Sequence, residues 1–321
     1  MIKYIIKRFL QMIMVLFVVS VLVFLLTNFI GDPVDMLVPE NATIEQIESA
    51  RARLGLDKPL YVQYGIFLND VLHGNLGKSY TYGLPAMTLI IERMPATLEL
   101  VAVAAVLVLL LAIPLGVYAG AYPKRATSKL IMSGSILGIS LPSFWLGMMM
   151  IYIFAVNLGI LPASGRGNTV EVMGTKLSIF APGGIRFIIL PAVTLALTHM
   201  ATMLRLMRSG ILENMRQDYV KFARAKGVPA KAILFGHAMK NALIPVITVF
   251  GLDLGNMIAF TTITETIFSW PGMGKLLIDA INKSDRPIIV AYLMTASCMF
   301  VVLNFIVDIL YTLIDPRIEL R

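Results

Sequence analysis

The chain has 321 residues, of which 58% are hydrophobic and only 14% charged, with a formal net charge of +8. A soluble domain is about 45–50% apolar and about 25% charged, so this composition excludes an ordinary soluble domain and reads as an all-α integral membrane protein. In such a protein the basic excess belongs to cytoplasmic loops and not to a nucleic-acid surface. The single cysteine, Cys298, excludes an intrachain disulfide, and the scattered His73, His199 and His237 form no zinc motif.

Lys3, Lys7 and Arg8 precede an apolar run over residues 9–30. The run is too long for a signal peptide and lacks a small-x-small cleavage site, so it reads as a retained first span with a cytoplasmic N-terminus. Residues 31–96 then form an extracytoplasmic helical insertion. It opens with the turn signal Gly31-Asp-Pro33. Residues 42–55 predict a helix, with Thr43 as N-cap, Gln46 completing a capping box and Gly55 as the stop. A second helix is predicted over residues 60–72, followed by His73-Gly74. Eight acidic against five basic residues over 31–95 suit the outer face.

Five further spans are expected in the core, residues 97–321: about 97–118, 130–158, 187–206, 242–262 and 288–313. The third of the six spans contains Leu141-Pro-Ser-Phe-Trp145, and the fourth carries Pro191 and His199. Six spans put both termini on one side. The segments assigned to the cytoplasm hold 16 basic and five acidic residues, and the outer ones 11 basic and 13 acidic, counting Glu99 and Glu265. That bias orients the chain with both termini inside.

Residues 218–245 lie between two membrane-length runs and are basic and helix-forming. Gly227 is placed to close a first helix in the left-handed conformation, and Pro229 suits the first turn of a second. Ala223, Ala225, Gly227 and Ala230 would let another protein approach closely. The segment reads either as a docking element or as an ordinary basic loop.

No catalytic constellation and no metal cluster is evident. Gly272-Met-Gly-Lys-Leu276 resembles a phosphate-binding loop only in passing, because Phe268 stands where its first glycine belongs and Leu276 where its Ser or Thr belongs. Polar residues at membrane depth are Glu99, Asn157, Thr198, His199, Asp253, Asn256, Asn304 and Asp308. Ionisable groups there usually face a bundle interior or a watery path. Asp253, beside the Gly251-x-x-x-Gly255 pair, either faces the path and meets a cationic group of a substrate or pairs with a group on a neighbouring helix. His199 reads as a packing residue or a path-lining one. Glu99 and Asp308 are expected at the interface.

Several stretches carry a family resemblance: Gly31-Asp-Pro-Val34, Leu54-Gly-Leu-Asp-Lys-Pro-Leu60 with Gln63-Tyr64, Gly74-Asn-Leu-Gly-Lys-Ser79, Arg93-Met-Pro-Ala-Thr-Leu98, Ala223-Arg-Ala-Lys-Gly227, His237-Ala-Met-Lys-Asn-Ala242, and Glu265-Thr-Ile-Phe-Ser-Trp-Pro-Gly-Met-Gly274. Taken in order, they make the chain resemble the permease subunits of bacterial ABC importers in the dipeptide/oligopeptide/nickel family, of the kind with a long first periplasmic segment. One departure is that the importer signature Glu-Ala-Ala is here Lys221-Phe-Ala223, and the Ile-x-Leu-Pro that usually follows is His237-Ala-Met-Lys240.

The resemblance implies a type I importer permease fold and a place in the bacterial cytoplasmic (inner) membrane. It implies ATPase coupling through Tyr219, Lys221, Ala223, Arg224, Ala225, Lys226, Gly227 and Pro229. It also places Glu265, Trp270, Pro271, Gly272 and Gly274 at an extracytoplasmic gate or binding-protein contact, with Asp253, Asn256 and His199 on the translocation path. The implied partners are a second permease in a heterodimer, two ATPase subunits, an extracytoplasmic substrate-binding protein and membrane lipid, with no nucleic acid. ATP and Mg would be used by the ATPases, and no cofactor would be bound by this chain. The expected activity is ATP-driven import of di- or oligopeptides by alternating access. Nickel or another small solute is the alternative cargo. A secondary transporter driven by an ion gradient, or a non-transporting receptor, is the alternative class.

Overall fold

The computed structural model describes residues 2–29, 43–53 and 55–314. The expected Gly31-Asp-Pro33 turn and the tail at residues 315–321 lie outside the described residues. Among the described residues, five helices are long and apolar enough to cross a membrane: α1 (Ile2–Phe29), α4 (Ala86–Ala121), α7 (Gly184–Asn214), α10 (Met239–Ile267) and α12 (Arg286–Ile314). The expected third span is not one continuous helix. It is α5 (Ala126–Ser140) followed by α6 (Ser143–Met150), with a bend of 108° between them. The cause is Pro142. It forces Leu141 into an extended conformation, φ −86° and ψ 131°, and the helix stops there. α6 then continues in wide i→i+5 turns over Ile151–Asn157, with the Leu158 N–H on the Ile153 carbonyl at 3.0 Å.

The second span differs from its expected start. α4 begins at Ala86, well before residue 97, so its first turns stand above the membrane-length part. Between α1 and α4 lie α2 (Ile44–Arg53) and α3 (Leu60–Leu72). The capping box forms as the sequence predicts: the Thr43 N–H reaches Gln46 Oε1 at 3.0 Å, and the Gln46 N–H reaches Thr43 Oγ1 at 3.4 Å. α3 packs on α1. Tyr64 Oη and Ser20 Oγ share a hydrogen bond of 2.8 Å, and the Phe24 ring lies 5.4 Å from Tyr64 and 5.7 Å from Phe67.

The core of the bundle is the α4–α7 pair, the most extensive helix contact in the molecule. Gly116 and Gly120 make the close approach possible. A Cβ on Gly120 would stand 2.7 Å from Ile211 Cβ and 2.9 Å from the Arg208 carbonyl, and one on Gly116 would meet Met207 and the Leu204 carbonyl just as closely. Small residues at i and i+4 are the membrane device for bringing helices together where the hydrophobic effect offers no drive. Gly251 and Gly255 do the same between α10 and α12, against Val307 and Phe300.

Two outer loops complete the structure. A short hairpin, β1 (Val170–Val172) antiparallel to β2 (Thr175–Leu177), stands between α6 and α7. α11 (Met273–Asn282) lies between α10 and α12 and packs, with the start of α12, on the outer turns of α4 through Ala86, Leu89, Ile90, Met273, Leu276 and Ile288. Asp285 ties this corner to the insertion. It is buried and accepts from Ser79 Oγ at 2.5 Å, the Tyr80 N–H at 3.2 Å and the Thr81 N–H at 3.0 Å.

Candidate coupling segment and membrane-depth polar site

At the end of α7 the chain turns into α8 (Asp218–Ala225). Asp218 sits in the first helical turn, where a carboxylate is favoured by the helix dipole. Lys221 Nζ meets its Oδ1 at 2.8 Å, and that hydrogen bond holds the Asp218 carboxyl below its ordinary value. Gly227 follows with φ +80°. The Val228 N–H bonds the Ala223 carbonyl at 3.1 Å and the Gly227 N–H bonds the Arg224 carbonyl at 2.9 Å. This is the Schellman arrangement, which satisfies the last carbonyls of a helix and needs the left-handed residue that glycine provides. Nothing lies within 4 Å of where a Gly227 Cβ would stand, so the glycine is required by its backbone angle and not by crowding.

Pro229 is the cap residue just before α9 (Ala230–Ile233), one position earlier than the first-turn place expected of it. Its carbonyl accepts the Ile233 N–H at 3.1 Å. α9 runs without interruption, through wide turns at Leu234–Ala238, into α10. The second helix of the motif is thus continuous with a span.

The side chains sort into two sets. Val220 is fully buried and anchors α8. Tyr219 braces the base: its hydroxyl donates to Asn214 Oδ1 at 2.8 Å and accepts from Asn241 Nδ2 at 3.2 Å, joining α7 to α10. Lys221, Arg224, Ala225, Lys226, Gly227 and Pro229 are exposed, and Ala223 is half-buried. Among them stand two large apolar side chains that sequence reasoning did not select: Phe222, 62% exposed with Lys226 Nζ 4.4 Å from its ring centre, and Phe235, 52% exposed. Exposed aromatic side chains on a basic segment make a surface suited to another protein. The sequence signal was present, since phenylalanines are unexpected in an otherwise polar loop.

At membrane depth, His199 of α7 and Asp253 of α10 meet, Nδ1 to Oδ2, at 2.9 Å. Asp253 therefore has a partner on a neighbouring helix, and its side chain is still 17% exposed. Asn256, one turn along α10, is exposed. Asp308 of α12 pairs with Arg8 of α1 at 3.1 Å.

Glu99 is buried, 5% exposed, and it is the anchor of the β1–β2 hairpin. Its Oε2 accepts from Arg166 Nε at 3.0 Å and Nη2 at 2.5 Å, and its Oε1 from the Ser178 N–H at 2.6 Å and the Ile179 N–H at 2.7 Å.

The residues expected at an extracytoplasmic gate or binding-protein contact are mostly interior. Glu265, Trp270, Gly272 and Gly274 are buried, and only Pro271 is half-buried. Trp270 Nε1 donates to the Ala96 carbonyl at 2.8 Å, and Glu265 accepts from Thr97 Oγ1 at 2.6 Å and the Lys275 N–H at 2.9 Å. A side chain on Gly272 would collide with the Glu265 carboxylate. These four residues build a fixed corner between α10, α11 and α4 and offer no contact surface. Arg166 links the corner to the hairpin, its guanidinium lying 5.6 Å from the Trp270 ring centre while it binds Glu99.

Comparison with known proteins places this geometry in context. A family model described as binding-protein-dependent transport system inner membrane component matches residues 112–320, and the companion model for its N-terminal part matches residues 1–101. The chain is 39% identical over 314 residues to a probable D,D-dipeptide transport system permease protein of Escherichia coli K12, covering 94% of this chain and 92% of that one. It is 38% identical over 321 residues to an oligopeptide transport system permease protein of Bacillus subtilis 168, covering 99% and 100%. A di/tripeptide transport system permease protein of Pseudomonas aeruginosa is 39% identical over 337 aligned residues. Among solved structures, an inward-facing form of the methionine ABC transporter MetNI superposes with a TM-score of 0.55 at 15% identity, covering 72% of this chain and 98% of that one. That likeness shows the type I permease fold.

Proposed function

The chain belongs to the family of binding-protein-dependent transport system inner membrane components, and from that premise we propose that it is the permease of an ATP-driven importer of di- and oligopeptides. It is a multi-pass inner-membrane protein with apolar spans. In this reading both termini are cytoplasmic, as the charge bias over the loops requires.

The observation that carries the reading is the exposed helix–turn–helix at residues 218–233, whose second helix is continuous with a span. A partner that binds Phe222, Phe235 and the cations around them differently in two states shifts the tilt of α10, and differential affinity is all that coupling needs. Two ATPase subunits are that partner, and they use the ATP and Mg; this chain binds and translocates without catalysing a reaction. Arg224, Ala225, Lys226, Gly227 and Pro229 form the docking surface with the two phenylalanines, while Tyr219 holds its base. A second, homologous permease completes the path as a heterodimer, and an extracytoplasmic binding protein delivers cargo. Asp253 and Asn256 line the path, with His199 behind Asp253 as its support. The peptide cargo is supported by full-length relatives named for peptides.

The test is purification from the native membrane through a C-terminal tag, then reconstitution with the partners recovered. The expected result is co-purification of a second permease and ATPases, and ATP-dependent peptide uptake. Recovery of this chain without any ATPase under mild detergent overturns the class, and uptake that a metal chelate inhibits and peptides do not overturns the cargo.

A further inference from the structure

Two helix faces carry polar residues that the rest of the chain leaves largely open, running from the base of the bundle, where Asn241 meets Tyr219, into its membrane-depth part. On α7, Thr202, Arg205 and Ser209 are exposed and Thr198 half-buried, at spacings of four, three and four residues. On α10, Asn241 and Asn256 are exposed and Thr248 half-buried, at spacings of seven and eight. Each set lies on one face of its helix. Such faces are costly against lipid and belong to a water-filled path.

Asp253 lies roughly a quarter turn from the α10 face, on the flank where α10 packs against His199 of α7. One of its oxygens is taken by His199 Nδ1 at 2.9 Å. His199 is 8% exposed, and its Nε2 is buried without a hydrogen-bond partner among the described residues. The imidazole is therefore turned away from the path, and what it does there is hold the carboxylate. The other oxygen, Oδ1, takes no hydrogen bond among the described residues, and Asn256 stands one helical turn beyond it on α10.

We propose that this is the site at which the translocation path receives the α-ammonium group of a peptide, with Asp253 as the anionic acceptor, Asn256 as a second acceptor and His199 as a positioning residue. The inference rests on the peptide reading given above. Its chemical logic is that peptides of varied sequence share few groups, and a free ammonium is one of them. A carboxylate at a protein-lined path attracts it more strongly than one in bulk water, because the protein on one side lowers the effective dielectric. The rest of the path can then be indifferent to side chains.

The test uses the whole transporter in proteoliposomes, with the binding protein saturated beforehand with either trialanine or its des-amino analogue, which lacks only the ammonium. ATP-dependent uptake of the two is compared as a ratio. The wild type is expected to favour trialanine by about tenfold to a hundredfold, the range for losing a hydrogen bond to a charged group. Asp253→Asn brings the ratio near one, Asp253→Glu restores part of it, and Asn256→Ala lowers it several-fold. His199→Ala lowers it, and His199→Asn, whose amide donates where Nδ1–H did, recovers part. An assembled Asp253→Asn complex with an unchanged ratio overturns the inference. If that variant does not assemble, Asn256→Ala, which leaves the His199–Asp253 pair intact, decides on the same criterion. A wild type that imports no peptide overturns the cargo reading and this site with it, whereas unchanged ratios in a peptide-importing transporter overturn the site alone.

Discussion

Replacing Glu99 with alanine should release the outer hairpin from the bundle. The carboxylate is buried and accepts from Arg166 and from the Ser178 and Ile179 N–H groups. Its removal leaves the Arg166 guanidinium, whose side chain is only 10% exposed, without its carboxylate, along with two amide donors. Breaking a buried ion pair by deleting one partner costs about 3–5 kcal/mol. At about 1.4 kcal/mol per tenfold, that raises the population of hairpin-open molecules by roughly a hundredfold to a few thousandfold. Hydrogen exchange of the Ser178 and Ile179 amides reads this directly, because they exchange only when the anchor opens. Trypsin cleavage after Lys176, on β2, should accelerate with it. Exchange and cleavage in Glu99→Ala that match the wild type would refute the idea that this carboxylate holds the hairpin.

Gly227→Pro should leave the complex assembled but abolish ATP-driven uptake, because proline is locked near φ −65° while this position requires +80°; normal uptake by the variant would refute the coupling role of the turn. Gly120→Val should destroy the α4–α7 seam, since even a Cβ there stands 2.7 Å from Ile211 Cβ and 2.9 Å from a backbone carbonyl. Overpacking of this kind costs about 1–3 kcal/mol or more, and size-exclusion of the detergent-purified protein should show loss of the monodisperse species. Asp285→Ala should free the turn at Ser79–Thr81, read as faster exchange of the Tyr80 and Thr81 amides, while α12 itself keeps its protection.

Much of this architecture was readable before any coordinates. Runs of about twenty apolar residues can only be spans, because a helix is the local structure that satisfies its own backbone in lipid. The capping box at Thr43 and Gln46, the limits of α3, and the glycine stop at Gly227 are all local rules, in which a few neighbouring residues decide their own conformation. The position of Pro142 was visible too, but its effect was not. A proline in a span bends it, breaks it or is absorbed by neighbouring helices, and which of these occurs depends on what packs beside it.

The polar residues behaved otherwise. Glu99 was expected at the interface, Glu265 at a gate or binding-protein contact, and Asp285 was not singled out; each is buried and bonded by partners 67, 168 and 206 positions away in sequence. No local pattern announces such a pairing. A buried carboxylate is tolerated only where separate segments bring donors to it, and that convergence is a property of the folded chain. The same holds for His199 and Asp253, which the sequence marked individually and only the packing of α7 on α10 joined. The chain by itself therefore determined which stretches are membrane-length helices and where the local caps and stops fall, because those are questions of local backbone energy and transfer from water. Tertiary structure alone decided which charges are anchors and which remain open to a substrate, because that depends on distance through space and on what excludes water there.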